Sequence, residues 1–168
     1  MNIKAFKTKL FHEGDNLVSF ITKEIKKIPE GSILVVTSKI VALSEKRTAI
    51  IKDEKTREEI IKKESDFAMR TKYTWLTIKD GMVLASAGVD ESNANGKIIL
   101  LPKDSYKAAA TLRKALLKHY KVKNIGIIIS DSRLLPLRKG IVGITLGYAG
   151  FKGVKPYEGT PDLFGRIL

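Results

Sequence analysis

The sequence predicts an α+β domain, a mixed sheet with flanking helices. Three observations point there. The unbroken apolar runs Ile33-Leu34-Val35-Val36 and Ile125-Gly126-Ile127-Ile128-Ile129 read as strands buried on both faces. The step Lys79-Asp80-Gly81, set between the β-prone runs 74–78 and 82–86, is a hairpin signal. Residues 16–28 and 105–120 carry apolar side chains at helical spacing. With 168 residues, 43% of them apolar, the chain can bury a real core; it shows no repeat or low-complexity linker, and residues 1–168 are read as a single domain.

Taken in order, 3–10 is expected as an edge strand, followed by the turn Glu13-Gly14-Asp15 and a helix over 16–28. Asp15 or Asn16 caps that helix, and Leu17, Ile21, Ile25 and Ile28 share its buried face. Pro29-Glu30-Gly31 ends it. The run 33–36 is read as a central strand delivering Thr37-Ser38-Lys39 at its end. Those three either meet phosphates, as two hydroxyls and an ammonium, or belong to a strand continuing to Ile40-Val41. A peripheral helix is expected over 55–65. After the hairpin and the strand 98–101, Pro102 breaks the chain and Ser105 caps a helix to Tyr120, with Ala108, Leu112, Ala115, Leu116 and His119 inward. A strand over 122–130 leads to an Asp131 loop, and another strand centres on 141–146. Glycines at 140, 143, 147, 150 and 153 suggest close strand or subunit packing rather than a phosphate loop, since neither the Walker pattern nor the dinucleotide fingerprint is present.

Composition narrows the chemistry. The absence of cysteine excludes disulfides, thiolate zinc sites and a cysteine nucleophile, and fits a reducing compartment. His12 and His119 lack ligand-spaced neighbours, so a metal must be held by oxygen. No apolar run approaches the ~20 residues of a membrane helix, and Met1-Asn2-Ile3-Lys4 begins no signal peptide; a cytoplasmic protein without membrane contact is expected. The formal charge of +13 favours anionic partners. Only seven of the 31 basic residues are arginine, and the lysines are spread along the whole chain, which reads as a solvated surface; a basic nucleic-acid-binding domain stands as the outlying alternative.

Two polar segments stand out. Gly88-Val89-Asp90-Glu91-Ser92-Asn93, between two apolar runs, is either a surface turn or a loop of hard oxygen ligands for a cation and donors for a phosphate. Ser130-Asp131-Ser132 adds a carboxylate where a core strand is expected to end, and the two loops could face one site.

These segments, with Glu13-Gly14-Asp15, Val35-Val36-Thr37-Ser38-Lys39-Ile40-Val41, Leu100-Leu101-Pro102 and Leu163-Phe164-Gly165-Arg166, occur in the order and at about the spacing of the CofE family, which the chain resembles from end to end. Its members are gamma-glutamyl ligases that add glutamate to the tail of a deazaflavin coenzyme, with relatives proposed for folate. The Gly-Val-Asp-Glu-Ser-Asn block is the specific part of the match. The resemblance implies a CofE-like mixed sheet; a homodimer is expected from the glycine-rich strands near residues 140–153, which can let another backbone approach closely. The resemblance also implies magnesium or manganese bound at Asp90, Asp131 and Ser132, and GTP contacted by Ser38, Lys39 and Asn93. In catalysis Asp90 and Asp131 would hold the metals that neutralise the transferring phosphoryl group, Lys39 would steady the phosphates, and glutamate would attack an acyl phosphate on an anionic coenzyme acceptor.

The match also has departures. Leu43 stands where the family has a nucleotide-contacting lysine, and the arginine expected before Pro136 is replaced, although Arg138 is retained. Family chains continue past Gly165-Arg166, so the resemblance is to a C-terminally short form. The alternative within the family is a catalytically impaired paralogue that binds nucleotide, metal or a partner chain.

Overall fold

The structure, a computed structural model, describes residues 2–168 except Asn93, Asn95 and Pro136. Along the chain run α1 (Leu17–Glu24), β1 (Ile33–Thr37), α2 (Ser38–Ser44), β2 (Thr48–Ala49), α3 (Glu54–Lys63), β3 (Phe67–Arg70), β4 (Trp75–Lys79), β5 (Met82–Ala85), β6 (Ile98–Ile99), α4 (Ser105–Tyr120), β7 (Gly126–Leu134) and β8 (Ile141–Ala149). The α+β class is borne out: among the described residues a mixed sheet β1-β7-β8, an antiparallel sheet β3-β4-β5 and a two-stranded ribbon β2-β6 are accompanied by four α-helices.

Local chemistry explains the elements. Asn16, Asp53 and Asp104 cap α1, α3 and α4, each side chain accepting a backbone N–H three residues on, so the cap of α4 is Asp104 and not Ser105. Helix α1 stops at Glu24, short of the expected residue 28. The chain is extended at Ile25, and Pro29 disfavours a helical residue before it, yet Ile25 and Ile28 still reach the core. The Asp80-Gly81 step forms its hairpin with positive φ at both residues, 52° and 71°. Residues 3–10 form no strand, because no sheet edge pairs with them.

The main sheet departs from expectation in two ways. β1 lies at the edge, paired in parallel with β7 alone, and Ile33 and Val35 are 52% and 59% exposed. Its apolar run therefore covers one buried face, carrying Val36, and one open face. β7 does not end at Ser130 but continues through Asp131 to Leu134, because β8 goes on pairing with it after β1 has stopped. Ile127, Ile129 and Val36 meet Ile21 of α1, Leu84 of β5 and Ala109, Leu112 and Leu116 of α4 in the principal core. His119 and Ala115 lie outside that set. Gly147 of β8 and Gly150 just after it serve packing within the chain, whereas a Cβ on Gly143 would meet nothing within 4 Å. A Cβ on Gly147 would fall 2.4 Å from the Ser105 carbonyl carbon at the start of α4, and one on Gly150 would fall 2.3 Å from the Ile125 carbonyl oxygen.

The segment between β1 and β7 brings a second layer to the same end of the sheet. Ile61 of α3, Trp75 of β4 and Ala87 form a smaller core. After β5 the chain turns through left-handed backbone at Ser86 (φ 48°), Ala87 (φ 57°) and Gly88 (φ 71°). Fully buried Thr77 holds this turn: its hydroxyl donates to the Leu84 carbonyl at 2.7 Å and accepts the Ala87 N–H at 2.8 Å. Gly88 is obligatory on two counts, since a Cβ there would lie 2.9 Å from the Leu101 side chain. Glu64, at the end of α3, ties the layers together by accepting from Arg47 at 2.5 Å and from Lys79 at 3.0 Å. Among the described residues no helix is long and apolar enough to cross a membrane.

Two outcomes follow. Thr77→Val keeps the shape but strands a buried N–H and a carbonyl, so chemical denaturation should show a loss of about 1–3 kcal/mol. Burial pushes the Glu64 carboxyl up, but its bonds to Arg47 and Lys79 outweigh that and hold it below the ordinary value. A lowered folded value favours folding above the carboxylate range and loses that effect as pH falls through it. Glu64→Gln should thus destabilise by about 1–3 kcal/mol at neutral pH, and the gap to wild type in thermal unfolding should close below about pH 4.

Candidate functional site

A cleft of about 460 Å³ opens where the carboxyl end of β1, the middle of β7 and the segment before β6 converge. Its walls carry Ser38 and Lys39 at the start of α2, Asp90 and Ser92, and Ser130, Asp131 and Ser132 of β7, with Gly143 and Leu101 beside them. Of the residues expected to act together, Ser38, Lys39, Asp90, Asp131 and Ser132 all line this one cleft. Asn93 lies outside the described residues.

The two aspartates arrive by different routes. Asp131 does not end its strand as expected but sits within β7, whereas Asp90 follows the Thr77-pinned turn and is bridged to β6, giving and taking backbone hydrogen bonds with Ile99 at 2.9 and 2.8 Å. The parallel register pairs Thr37 with Ser130, so the next residues are neighbours, and the Ser38 hydroxyl donates to Asp131 Oδ1 at 2.9 Å. Ser38 is an almost fully buried hydroxyl. The second carboxylate of the polar loop, Glu91, turns away from the cleft and pairs with Arg57 of α3 at 2.5 Å.

Lys39 spans the cleft. Its Nζ lies 2.7 Å from Asp90 Oδ2 and donates to Ser92 Oγ at 2.8 Å and to the Ser92 carbonyl at 3.1 Å. The other oxygen of Asp90 accepts the Ser92 N–H at 2.7 Å. Burial pushes the Asp90 carboxyl up, but the bonds from Lys39 and Ser92 together with the ammonium charge outweigh it and hold it below the usual carboxylate range. Asp90 is therefore an anion at any physiological pH.

One charged neighbour was not anticipated. Arg133 is on the same face of β7 as Asp131, is only 8% exposed, and brings Nε to 3.9 Å from Asp131 Oδ2. Its Nε and Nη2 have no hydrogen-bond partner among the described residues, Nη1 faces the Met82 sulfur at 3.6 Å, and burial draws the guanidinium below its ordinary value. The signal was the strand alternation 127, 129, 131, 133, which continues the buried face past residue 130.

The donors facing the cleft are carboxylate, hydroxyl and carbonyl oxygens, with one ammonium. Among the described residues no group of three or more His, Asp or Glu could by itself hold a metal ion. The set suits a hard cation that keeps some ligands from water or phosphate. An ammonium already rests among three of these oxygens, so the cage accepts positive charge. Leu43, in the position expected of a lysine, is partly buried against Ala42, Ala94 and Ile99.

The model of the F420-0:gamma-glutamyl ligase family matches residues 5–168. The coenzyme F420:L-glutamate ligase of Methanopyrus kandleri is 32% identical, over 92% of this chain and 68% of its own length. That of Archaeoglobus fulgidus is 28% identical over 100% of this chain and 75% of its own. The ligase of Methanocaldococcus jannaschii reaches 46% identity over a shorter stretch, 54% of this chain and 36% of its own. The resemblance read from the sequence is thereby borne out, and the chain belongs to the F420-0:gamma-glutamyl ligase family.

Proposed function

We propose that the chain is a nucleotide-dependent gamma-glutamyl ligase that adds glutamate to a carboxylate of a deazaflavin- or folate-type coenzyme. The carrying observation is the convergence of Lys39, Asp90, Ser38 and Asp131 on one cleft in a member of this family. The relatives' names specify coenzyme F420 and L-glutamate as substrates. In this reading the γ-phosphoryl group of GTP passes to the acceptor carboxylate, the glutamate amine attacks the resulting acyl phosphate, an amide forms and inorganic phosphate leaves. Lys39 holds phosphate oxygens as a point charge, while Ser38 and Ser132 present hydroxyls from α2 and β7. Magnesium or manganese, held by Asp90 and Asp131 with Ser132 and substrate oxygens, would supply charge neutralisation for phosphoryl transfer. The basic surface suits an acceptor rich in phosphate and carboxylate. The reading keeps the homodimer expected from the sequence. Exposed Ile33, Val35, Leu134 and Ile141 alternate onto the open face of the main sheet, a surface a second copy could cover.

A second reading, binding without turnover, is favoured by Leu43, an uncharged side chain turned into a small apolar cluster. Glutamate-dependent phosphate release from GTP, in the presence of acceptor and manganese, decides between the two. The ligase reading expects release only when all three substrates are present; bound nucleotide without release leaves the second reading. Titration calorimetry checks the site itself. Asp131→Ala should weaken manganese-supported GTP binding about ten- to a hundredfold, the equivalent of one charge-assisted contact. Binding of equal strength in the variant would remove Asp131 from the site.

A further inference from the structure

The ammonium of Lys39 has three N–H donors: Ser92 Oγ and the Ser92 carbonyl accept two of them, and Asp90 Oδ2 stands 2.7 Å from Nζ as its ion-pair partner. To bind a phosphate this ammonium has to give up those contacts. Both oxygens of Asp90 are equally committed, one to Lys39 and the other to the Ser92 N–H. The cage does not depend on the lysine for its shape. Asp90 is fixed by its two backbone bonds to Ile99, and its Oδ1 by the Ser92 N–H, so its carboxylate has restraints independent of Lys39. A divalent cation on Asp90 and an ammonium on the same oxygen exclude one another by space and by charge. Among the described residues the other carboxylate lining the cleft, Asp131, accepts the Ser38 hydroxyl at Oδ1 and has the Arg133 guanidinium beside Oδ2. A nucleotide brings the missing alternative, anionic oxygens that an ammonium can bind in place of the aspartate.

Resting on the ligase reading above, we propose that Lys39 is the resident cation of the cleft, and that nucleotide phosphates must draw it off Asp90 before a divalent metal can bind there. Metal and nucleotide then bind with positive coupling. By reciprocity, each raises the affinity of the other by the same factor. A cleft without nucleotide holds its carboxylate neutralised and does not collect metal.

The test follows free manganese by its paramagnetic resonance signal, titrating the full chain with and without a non-hydrolysable GTP analogue and subtracting the manganese that the analogue chelates in a protein-free titration. Wild type should bind manganese weakly alone and at least about tenfold more tightly with the analogue, the strength of one charge-assisted contact. Lys39→Met and Lys39→Gln should bind manganese alone at least about tenfold more tightly than wild type and gain less from the analogue than wild type does, the gain that remains coming from phosphate oxygens on the metal. Lys39→Arg, which keeps the charge, should behave as wild type, and adding Asp90→Asn to Lys39→Met should abolish the tighter binding of manganese alone. The proposal is overturned if neither neutral variant binds manganese more tightly than wild type without nucleotide, or if wild type binds it equally with and without the analogue. Either result, with manganese still bound beside the analogue, leaves the ligase reading standing. Absence of manganese binding by every form under both conditions overturns both.

Discussion

The parallel pairing of β1 with β7 is the constraint on which the site depends. It joins residues 93 positions apart, and because Thr37 and Ser130 are in register, Ser38 and Asp131 emerge side by side. Parallel strands need a long connection, and here everything from α2 to α4 serves as that connection. The register is held by Val36, Ile127 and Ile129 against α4, and a slip of one residue would turn Asp131 and Arg133 to the opposite face. Gly147 of β8 belongs to the same device. Gly147 lets the first turn of α4 lie against the sheet, which closes the core directly beneath the cleft.

Asp90 is placed by a separate set of restraints. Its approach runs through left-handed backbone at two non-glycine residues, a conformation disfavoured by about 1–2 kcal/mol per residue. The Thr77 hydroxyl, the Gly88–Leu101 contact and the bridge to Ile99 over-determine that turn and make the strain tolerable. The cleft thus draws one carboxylate from a rigid strand and the other from a strained, pinned loop. Its charges are nearly matched within, Lys39 against Asp90 and Arg133 beside Asp131, although the chain as a whole carries +13. The excess positive charge lies outside the cleft and acts on approaching anions at longer range.

Much of this was legible in the sequence where the signals are local. The hairpin at Asp80-Gly81, the helix ending at Tyr120, the strand before Ser38 and the polar loop at Asp90 each rest on turn chemistry or periodicity within a few residues. The block around Asp90 also carried the family, and with it Lys39, Asp131 and Ser132 as cleft residues. The apolar run of β1 reads as a central strand in the sequence yet lies at the sheet's edge, because a run of Ile, Leu and Val looks the same whether one face or two are covered.

What the sequence by itself determined is therefore the elements, the family and the residue types gathered at the site. Only the tertiary structure decided that β7 runs on through Asp131, that the glycines near residue 150 receive this chain's own helix, that Glu91 turns to Arg57, that Arg133 is buried beside Asp131, and that Lys39 is bonded to Asp90. The reason is physical. Strand length, charge pairing and the burial of a guanidinium depend on what lies across a gap, and the partner across that gap comes from tens of residues away.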